Sequence, residues 1–270
     1  MLVNGASRNL ISIRDRGLLY GDGVFRTFRA EHGVALHQHL HLQKIQQDCT
    51  KLGISCPALS HLEYELASLL VAHPNAIIKL IITRGIAQRG YAASADAEPT
   101  HLWDVSALPV YPMQNYQLGI ALRVCELRLS QQPLLAGIKH LNRLENVLAA
   151  NEPHDAKFAE GLLLDAQGNV IEGIRSNVFI VQGGVLMTPD LSQCGVAGVQ
   201  RDRVITYAVQ HAIPLQIRAI SLVELLAADE IFLVNSVLGL WPVRQCENRH
   251  WYDFAMTEKL AGLFEQERGL

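Results

Sequence analysis

Residues 134–150, LLAGIKHLNRLENVLAA, contain one lysine, Lys139, at the foot of a helical pattern, in apolar company and with no acidic residue before Glu145. Six lysines occur in the 270 residues, at positions 44, 51, 79, 139, 157 and 259. An amine attacks a carbonyl only when unprotonated, and desolvation at an apolar strand-to-helix junction favours the neutral form. Lys139 is therefore a candidate nucleophile and base. The plainer reading is a surface lysine snorkelling from a helix start.

Four further groupings could bear chemistry. In NVIEGIRSNVF, Glu172 ends a strand, where a carboxylate could keep a cofactor's ring nitrogen protonated; a solvated strand end is the alternative. In CGVAGVQRD, Gly195 and Gly198 permit close backbone approach, and the helix beginning at Val199 and Gln200 offers N–H groups to a phosphate. The strand end VNS (234–236) could add Ser236 and the N–H of Val237 to the same anion. In TRGIAQRGY, Arg84 and Arg89 follow an apolar strand and could clamp a carboxylate. HQHLH places His37, His39 and His41 at alternate positions, one face of a strand, but no Cys, Asp or Glu nearby completes a ligand set, so no metal is expected.

The elements that must position these residues belong to a well-buried globular chain, 49% apolar and 18% charged. A net charge of −3, a pI near 6.4 and the lack of basic runs speak against nucleic acid or an acidic membrane surface as partner. No apolar stretch has the length of a membrane span. Five scattered cysteines without a CxxC pair, and an N-terminus without a secretory signal pattern, suggest reduced thiols in the cytoplasm.

Strands are expected at MLVNG and NLISI, then at VFRTFRA after the Gly21-Asp22-Gly23 turn. Helical stripes cover 39–52 and a segment starting at Ser60, where Ser60 and Glu63 fit a capping box and Pro74 marks the stop. AIIKLIIT (76–83) and LWDVSALPVY (102–111) are strand-like, and a polar stretch follows. Beyond it come a strand from Ile120, a helix over about 142–151, two hairpins in LLLDAQGNVIEG and NVFIVQGGVLMTP, and the helix RDRVITYAVQHA. A second capping box (Ser221, Glu224), the strand EIFLVNSVLG and a closing helix FAMTEKLAGLFEQ complete the chain. The mixture predicts an α+β fold with a smaller domain over 1–112, a linker over 113–119 and a larger domain over 120–270 carrying Lys139.

In order, DRGLLYGDGVF, HLQKI, TRGIAQRGY, AGIKHLNRLENVL, VIEGIRSNVF, GVAGVQRD and LVNSVLGLWPV resemble the fold type IV pyridoxal-phosphate enzymes nearly end to end. That family holds branched-chain and D-amino acid aminotransferases and 4-amino-4-deoxychorismate lyases. IKHLNRLENVL and RGIAQRGY look most like the lyase branch. The resemblance implies a two-domain D-amino acid aminotransferase-like fold with pyridoxal 5'-phosphate between the domains, in a homodimer with shared active sites. It implies that Lys139 carries the Schiff base and acts as catalytic base, that Glu172 pairs with the pyridine nitrogen, and that Val199, Gln200, Ser236 and Val237 hold the phosphate. Arg143 would lie near the cofactor. Arg89, reaching in from the partner subunit, would bind a substrate carboxylate, with Tyr91 and Phe25 as further substrate contacts. The chain departs from the family where a His-x-x-Arg motif supplies a phosphate-binding arginine: here it reads His41-Leu42-Gln43-Lys44, leaving Lys44 for that task. The implied reaction converts 4-amino-4-deoxychorismate to 4-aminobenzoate and pyruvate for folate synthesis. The rivals are an aminotransferase on the same scaffold and a binding protein that has lost the chemistry.

Overall fold

The computed structural model describes residues 1–93 and 97–266. The chain divides into two compact units, Met1–Pro109 with Lys139–Asn142, and Val110–Ile138 with Arg143–Leu270.

In the first unit, β1 (Leu2–Val3) and the short helix α1 (Arg16–Tyr20) precede β2 (Gly23–Glu31) and β3 (Val34–Ala35). Helices α2 (Gln38–Leu52) and α3 (Leu59–Ala72) lead to β4 (Ala76–Thr83) and β5 (Thr100–Ser106). The five strands form one antiparallel sheet in the order β1-β5-β4-β2-β3. Alternation along β2 and β4 sorts the side chains onto two faces. Val24, Phe28 and Ala30, with Ile78, Leu80 and Ile82, are buried with Leu42, Ile45 and Cys49 of α2. Arg26 lies on that same buried face and pairs with the buried Asp48 of α2, which offsets much of the cost of burying the two charges. The alternate residues Phe25, Thr27, Lys79 and Ile81 are only half-buried, so the pleat leaves them available for chemistry.

The second unit opens with α4 (Gln114–Gln117), β6 (Ile120–Leu129) and α5 (Leu144–Ala150). Then come β7 (Phe158–Asp165), β8 (Val170–Gly173), β9 (Asn177–Gln182) and β10 (Val185–Pro189). Helix α6 (Val199–Gln210), β11 (Leu215–Arg218) and α7 (Leu222–Ala227) are followed by β12 (Glu230–Asn235), β13 (Gly239–Cys246), β14 (Arg249–His250) and α8 (Ala255–Gln266). The sheet order is β11-β10-β9-β12-β13-β6-β7-β8, with β14 beside β13. Its central strands are apolar at nearly every position because both faces are covered. Val178, Ile231 and Leu233 pack with Leu162 and Trp241 in one cluster, while Phe179 and Phe232 pack with Val204 and Tyr207 of α6 in another. The Gly183-Gly184 hairpin turn has positive φ at both residues, 57° and 76°, which the tight two-residue connection requires.

Several expectations are corrected. NLISI forms no strand: Leu10 and Ile13 are exposed, and an alternating run without a hydrogen-bonding neighbour has nothing to pair with. Ser60 does not cap the second helix, which starts at Leu59 with Ala58 in the cap position, so Ser60 is already inside the first turn. The Ser221 cap does form, its side chain accepting the Glu224 N–H at 3.1 Å. The strand read over 102–111 ends at Ser106 because its β4 partner begins there, at the Ile77–Ser106 pairing. Residues 114–117 of the expected linker are helical. Lys139–Asn142 group with the first unit, not with the domain expected over 120–270, because they add backbone hydrogen bonds to β2. The HQHLH histidines share no strand face: His37 precedes α2 at φ 55°, and the buried His41 packs against Phe28 with 4.7 Å between ring centroids.

Candidate active site

Lys139 is fixed by its backbone before its amine is considered. The Phe25 N–H donates to the Lys139 carbonyl at 2.9 Å, and the Leu141 N–H donates to the Gly23 carbonyl at 2.9 Å. The Lys139 N–H donates to the Asp48 carboxylate at 3.3 Å, so one buried acid ties α2 to both β2 and the lysine. The Lys139 Nζ stands 4.7 Å from the Phe25 ring centroid, and the Lys79 Nζ stands 4.6 Å from the same centroid. An aromatic face attracts an ammonium and shields it from water. The sequence reading did not single out Lys79; its signal was a lone charge inside the apolar run AIIKLIIT. Lys44 is half-buried on α2, one residue before the fully buried Ile45.

The DRGLLYGDG segment builds a platform for the loop after β4. The Asp15 carboxylate accepts the Gly17 N–H at 2.8 Å and the Thr83 hydroxyl at 3.0 Å, which starts α1 and joins it to β4. Asp22 accepts Nε–H bonds from Arg16 and Arg84, each at 2.8 Å. Burial works against ionisation of Asp22, but the hydrogen bonds from Arg84 and Arg16 and their charges outweigh it and hold the carboxyl below its ordinary value. Arg16 then donates to the carbonyls of Gly90 and Tyr91 at 2.8 and 2.7 Å, and the Tyr20 and Tyr91 rings meet at 5.4 Å. Arg84 donates onward to the Leu52 and Gly53 carbonyls. The proposed Arg84–Arg89 clamp is therefore corrected: Arg84 is engaged with Asp22 and the end of α2, while Arg89 and Tyr91 are exposed on the loop that Arg16 supports.

In the second unit, Glu172 is buried on β8 and accepts the Val196 N–H at 2.8 Å. The Gly195–Gly198 loop is held from two sides. Gly137 donates to the Gly195 carbonyl at 2.9 Å and accepts from the Ala197 N–H at 3.1 Å, two residues before Lys139 in the chain. Asn177 donates to the Val196 carbonyl at 2.7 Å and accepts the Gly198 N–H at 3.1 Å. A Cβ on Gly198 would lie 2.4 Å from the Asn177 Oδ1, which explains the glycine. Asn177 was missed in the sequence reading, where it stood as an undistinguished residue before an apolar strand.

Helix α6 starts from Gly198 without a side-chain cap, so the N–H groups at Val199 and Gln200 sit at the positive end of its dipole. Such an end suits an anion. Arg143 precedes α5. Burial pulls its guanidinium below the ordinary arginine value, and the charges of Glu172 and Glu145 oppose that shift. Ser236 is half-buried at the end of β12. The Val237 N–H donates to the Asn235 Oδ1 at 2.8 Å, so the strand end itself engages the donor expected for the phosphate.

The fold and these positions define a class. The chain belongs to the amino-transferase class IV family, whose model matches residues 23–246. Among solved structures, 4-amino-4-deoxychorismate lyase from Pseudomonas aeruginosa is similar at 43% identity and a TM-score of 0.95, over 98% of both chains. Aminodeoxychorismate lyase from Vibrio harveyi is 36% identical over 89% of this chain and 89% of its own. A putative branched-chain-amino-acid aminotransferase from Methanocaldococcus jannaschii is 34% identical over 88% of this chain and 83% of its own.

Proposed function

We propose that the chain is a pyridoxal 5'-phosphate-dependent lyase that converts 4-amino-4-deoxychorismate to 4-aminobenzoate and pyruvate, the aromatic precursor for folate. The observation that carries the reading is the 43% identity to the Pseudomonas aeruginosa lyase, sustained over 98% of both chains. The donor set fits the cofactor: an amine beside an aromatic ring, a buried carboxylate, and a helix start without a side-chain cap. Lys139 would hold the cofactor covalently, Glu172 would keep its ring nitrogen protonated, and the N–H groups of Val199 and Gln200, with Ser236 and Lys44, would take its phosphate. When bound, the cofactor supplies an electron sink. Arg143 would add a positive charge near Glu172.

The net reaction breaks the C–O bond to the enolpyruvyl group and aromatises the ring. One proton leaves the ring carbon that bears nitrogen, and the enolpyruvyl methylene gains one as pyruvate forms. Lys139 is the residue to take up the first proton, since its amine stands beside Phe25 in a segment free of acids until Glu145. The substrate carries two carboxylates. Lys79, whose Nζ stands 4.6 Å from the centroid of the same ring, suits one of them, and the exposed Arg89, with Tyr91, suits the other as a contribution to the partner subunit of a homodimer. A cytoplasmic setting accords with the free cysteines and with the absence, among the described residues, of a helix able to cross a membrane.

The test offers purified holoenzyme 4-amino-4-deoxychorismate in one arm, and D-alanine or leucine with 2-oxoglutarate in the other. Release of 4-aminobenzoate with equimolar pyruvate is expected. Glutamate formation in the second arm with no 4-aminobenzoate in the first would make the protein an aminotransferase.

A further inference from the structure

We propose that His61, Glu65 and His101 form a binding site for a divalent cation of the zinc class. His61 and Glu65 are four residues apart on α3 and so share one helix face, while His101 reaches them from β5. The Glu65 Oε1 stands 3.1 Å from the His61 Nε2 and 3.1 Å from the His101 Nε2. All three ligand atoms lie within 4.8 Å of one another, and this is the one such group of His, Cys, Asp or Glu among the described residues.

The site is built rather than incidental. Glu65 and His101 are buried, at 4% and 7% exposure. The Trp103 indole N–H donates to the Glu65 Oε2 at 2.7 Å, which orients the carboxylate; the His101 Nε2 straddles its two oxygens, 3.1 Å from Oε1 and 3.0 Å from Oε2, while the His61 Nε2 faces Oε1. An outer donor of this kind is what fixes a ligating carboxylate in metal sites. The His101 backbone is held on both sides by Asn4, whose Oδ1 accepts its N–H and whose N–H donates to its carbonyl, each at 2.9 Å. The His61 side chain is 52% exposed, which gives an ion a way in and leaves a fourth position open to water.

The donor chemistry selects the ion. Two imidazoles and one carboxylate make the three-ligand set of open zinc sites, with bonds of about 2.0–2.2 Å. Magnesium and calcium prefer all-oxygen shells. The competing arrangement has each imidazole donating an Nε2–H to Glu65 with no ion. In that case the cluster is a hydrogen-bond network that holds α3 against β5.

Titration of tag-free, EDTA-stripped holoenzyme with zinc chloride separates the two. The wild type should retain one zinc per chain after gel filtration, and zinc should raise its thermal midpoint. His61→Ala alters the exposed ligand and leaves Glu65 its contacts to Trp103 and His101. It should weaken zinc affinity by more than about 100-fold, beyond the loss usual for an outer partner, and lose the thermal shift. Glu65→Gln should weaken binding in the same way. Cobalt(II) in the wild type should give the visible bands of a four-coordinate site, and these should vanish in His61→Ala. A wild type that binds no zinc, or zinc affinity unchanged in His61→Ala, overturns the proposal.

Discussion

The Phe25 ring and the Lys139 amine are held together twice: the Phe25 N–H donates to the Lys139 carbonyl at 2.9 Å, and the Lys139 Nζ stands 4.7 Å from the ring centroid. The backbone bond sets the lysine's place on the edge of β2, and the ring sets the direction of its amine. Phe25→Leu keeps the backbone bond and removes the aromatic face. A cation–π contact of about 0.5–2 kcal/mol corresponds to a loss of roughly 2- to 30-fold in turnover. Steady-state kinetics check this, and an unchanged turnover number would show that the ring has no part in placing the amine.

Glu172→Gln should leave the fold intact and most of the cofactor bound. The amide keeps an oxygen for the Val196 N–H but carries no charge to hold a ring nitrogen protonated. Loss of one such electrostatic group commonly costs ~10²–10³ in rate. Wild-type turnover in this variant would remove Glu172 from the chemistry.

Asp22 ties stability to acid. Its carboxyl sits below the ordinary value because its hydrogen bonds from Arg84 and Arg16 outweigh burial. The stability it confers is thus fully present above the unfolded-state value of about 3.9 and is lost as pH falls through the lower folded-state value. Asp22→Asn should cost roughly 1.5–3 kcal/mol at pH 7 and flatten the acid limb of the stability curve. Urea denaturation at pH 7 and below pH 4 measures both effects; superimposable curves for variant and wild type would contradict the pairing. The variant should also raise KM, since Arg16 carries the loop that bears Arg89.

By the family resemblance of its His41-Leu42-Gln43-Lys44 segment, Lys44 is proposed to stand in for a phosphate-binding arginine. The charge survives the exchange, although an ammonium offers a mobile point charge in place of a planar fork. Lys44→Ala should weaken cofactor affinity by about tenfold to a hundredfold, the ~1.5–3 kcal/mol of a charge-assisted bond, and Lys44→Arg should retain it. Cofactor titration of the stripped forms decides; equal affinity in Lys44→Ala would place the phosphate on α6 alone.

Period and punctuation made much of this readable from the chain. AIIKLIIT showed a nearly continuous apolar run, the two hairpins showed their turns, and CGVAGVQRD showed a glycine approach to a helix, because each signal is local. Long-range hydrogen bonding was not legible. Arg84 looked like a free clamp until Asp22, 62 residues earlier, was seen to accept it. Asn177 and Asp48 carried no local mark, yet one pins the Gly198 loop and the other the lysine's backbone. Ser60 and NLISI misled for the opposite reason. Each had the right local pattern, but the helix began one residue earlier and the strand had no neighbour.

Reduction of the holoenzyme with borohydride, followed by proteolysis and mass mapping, tests the central claim most directly. Lys139 is proposed as the cofactor's anchor because its backbone is fixed by Asp48 and Phe25, and its amine stands beside an aromatic ring. The account predicts a yellow protein that bleaches on reduction, with the cofactor's mass on the peptide containing Lys139 and no label in Lys139→Ala. Label on Lys79 or Lys157 instead would contradict it.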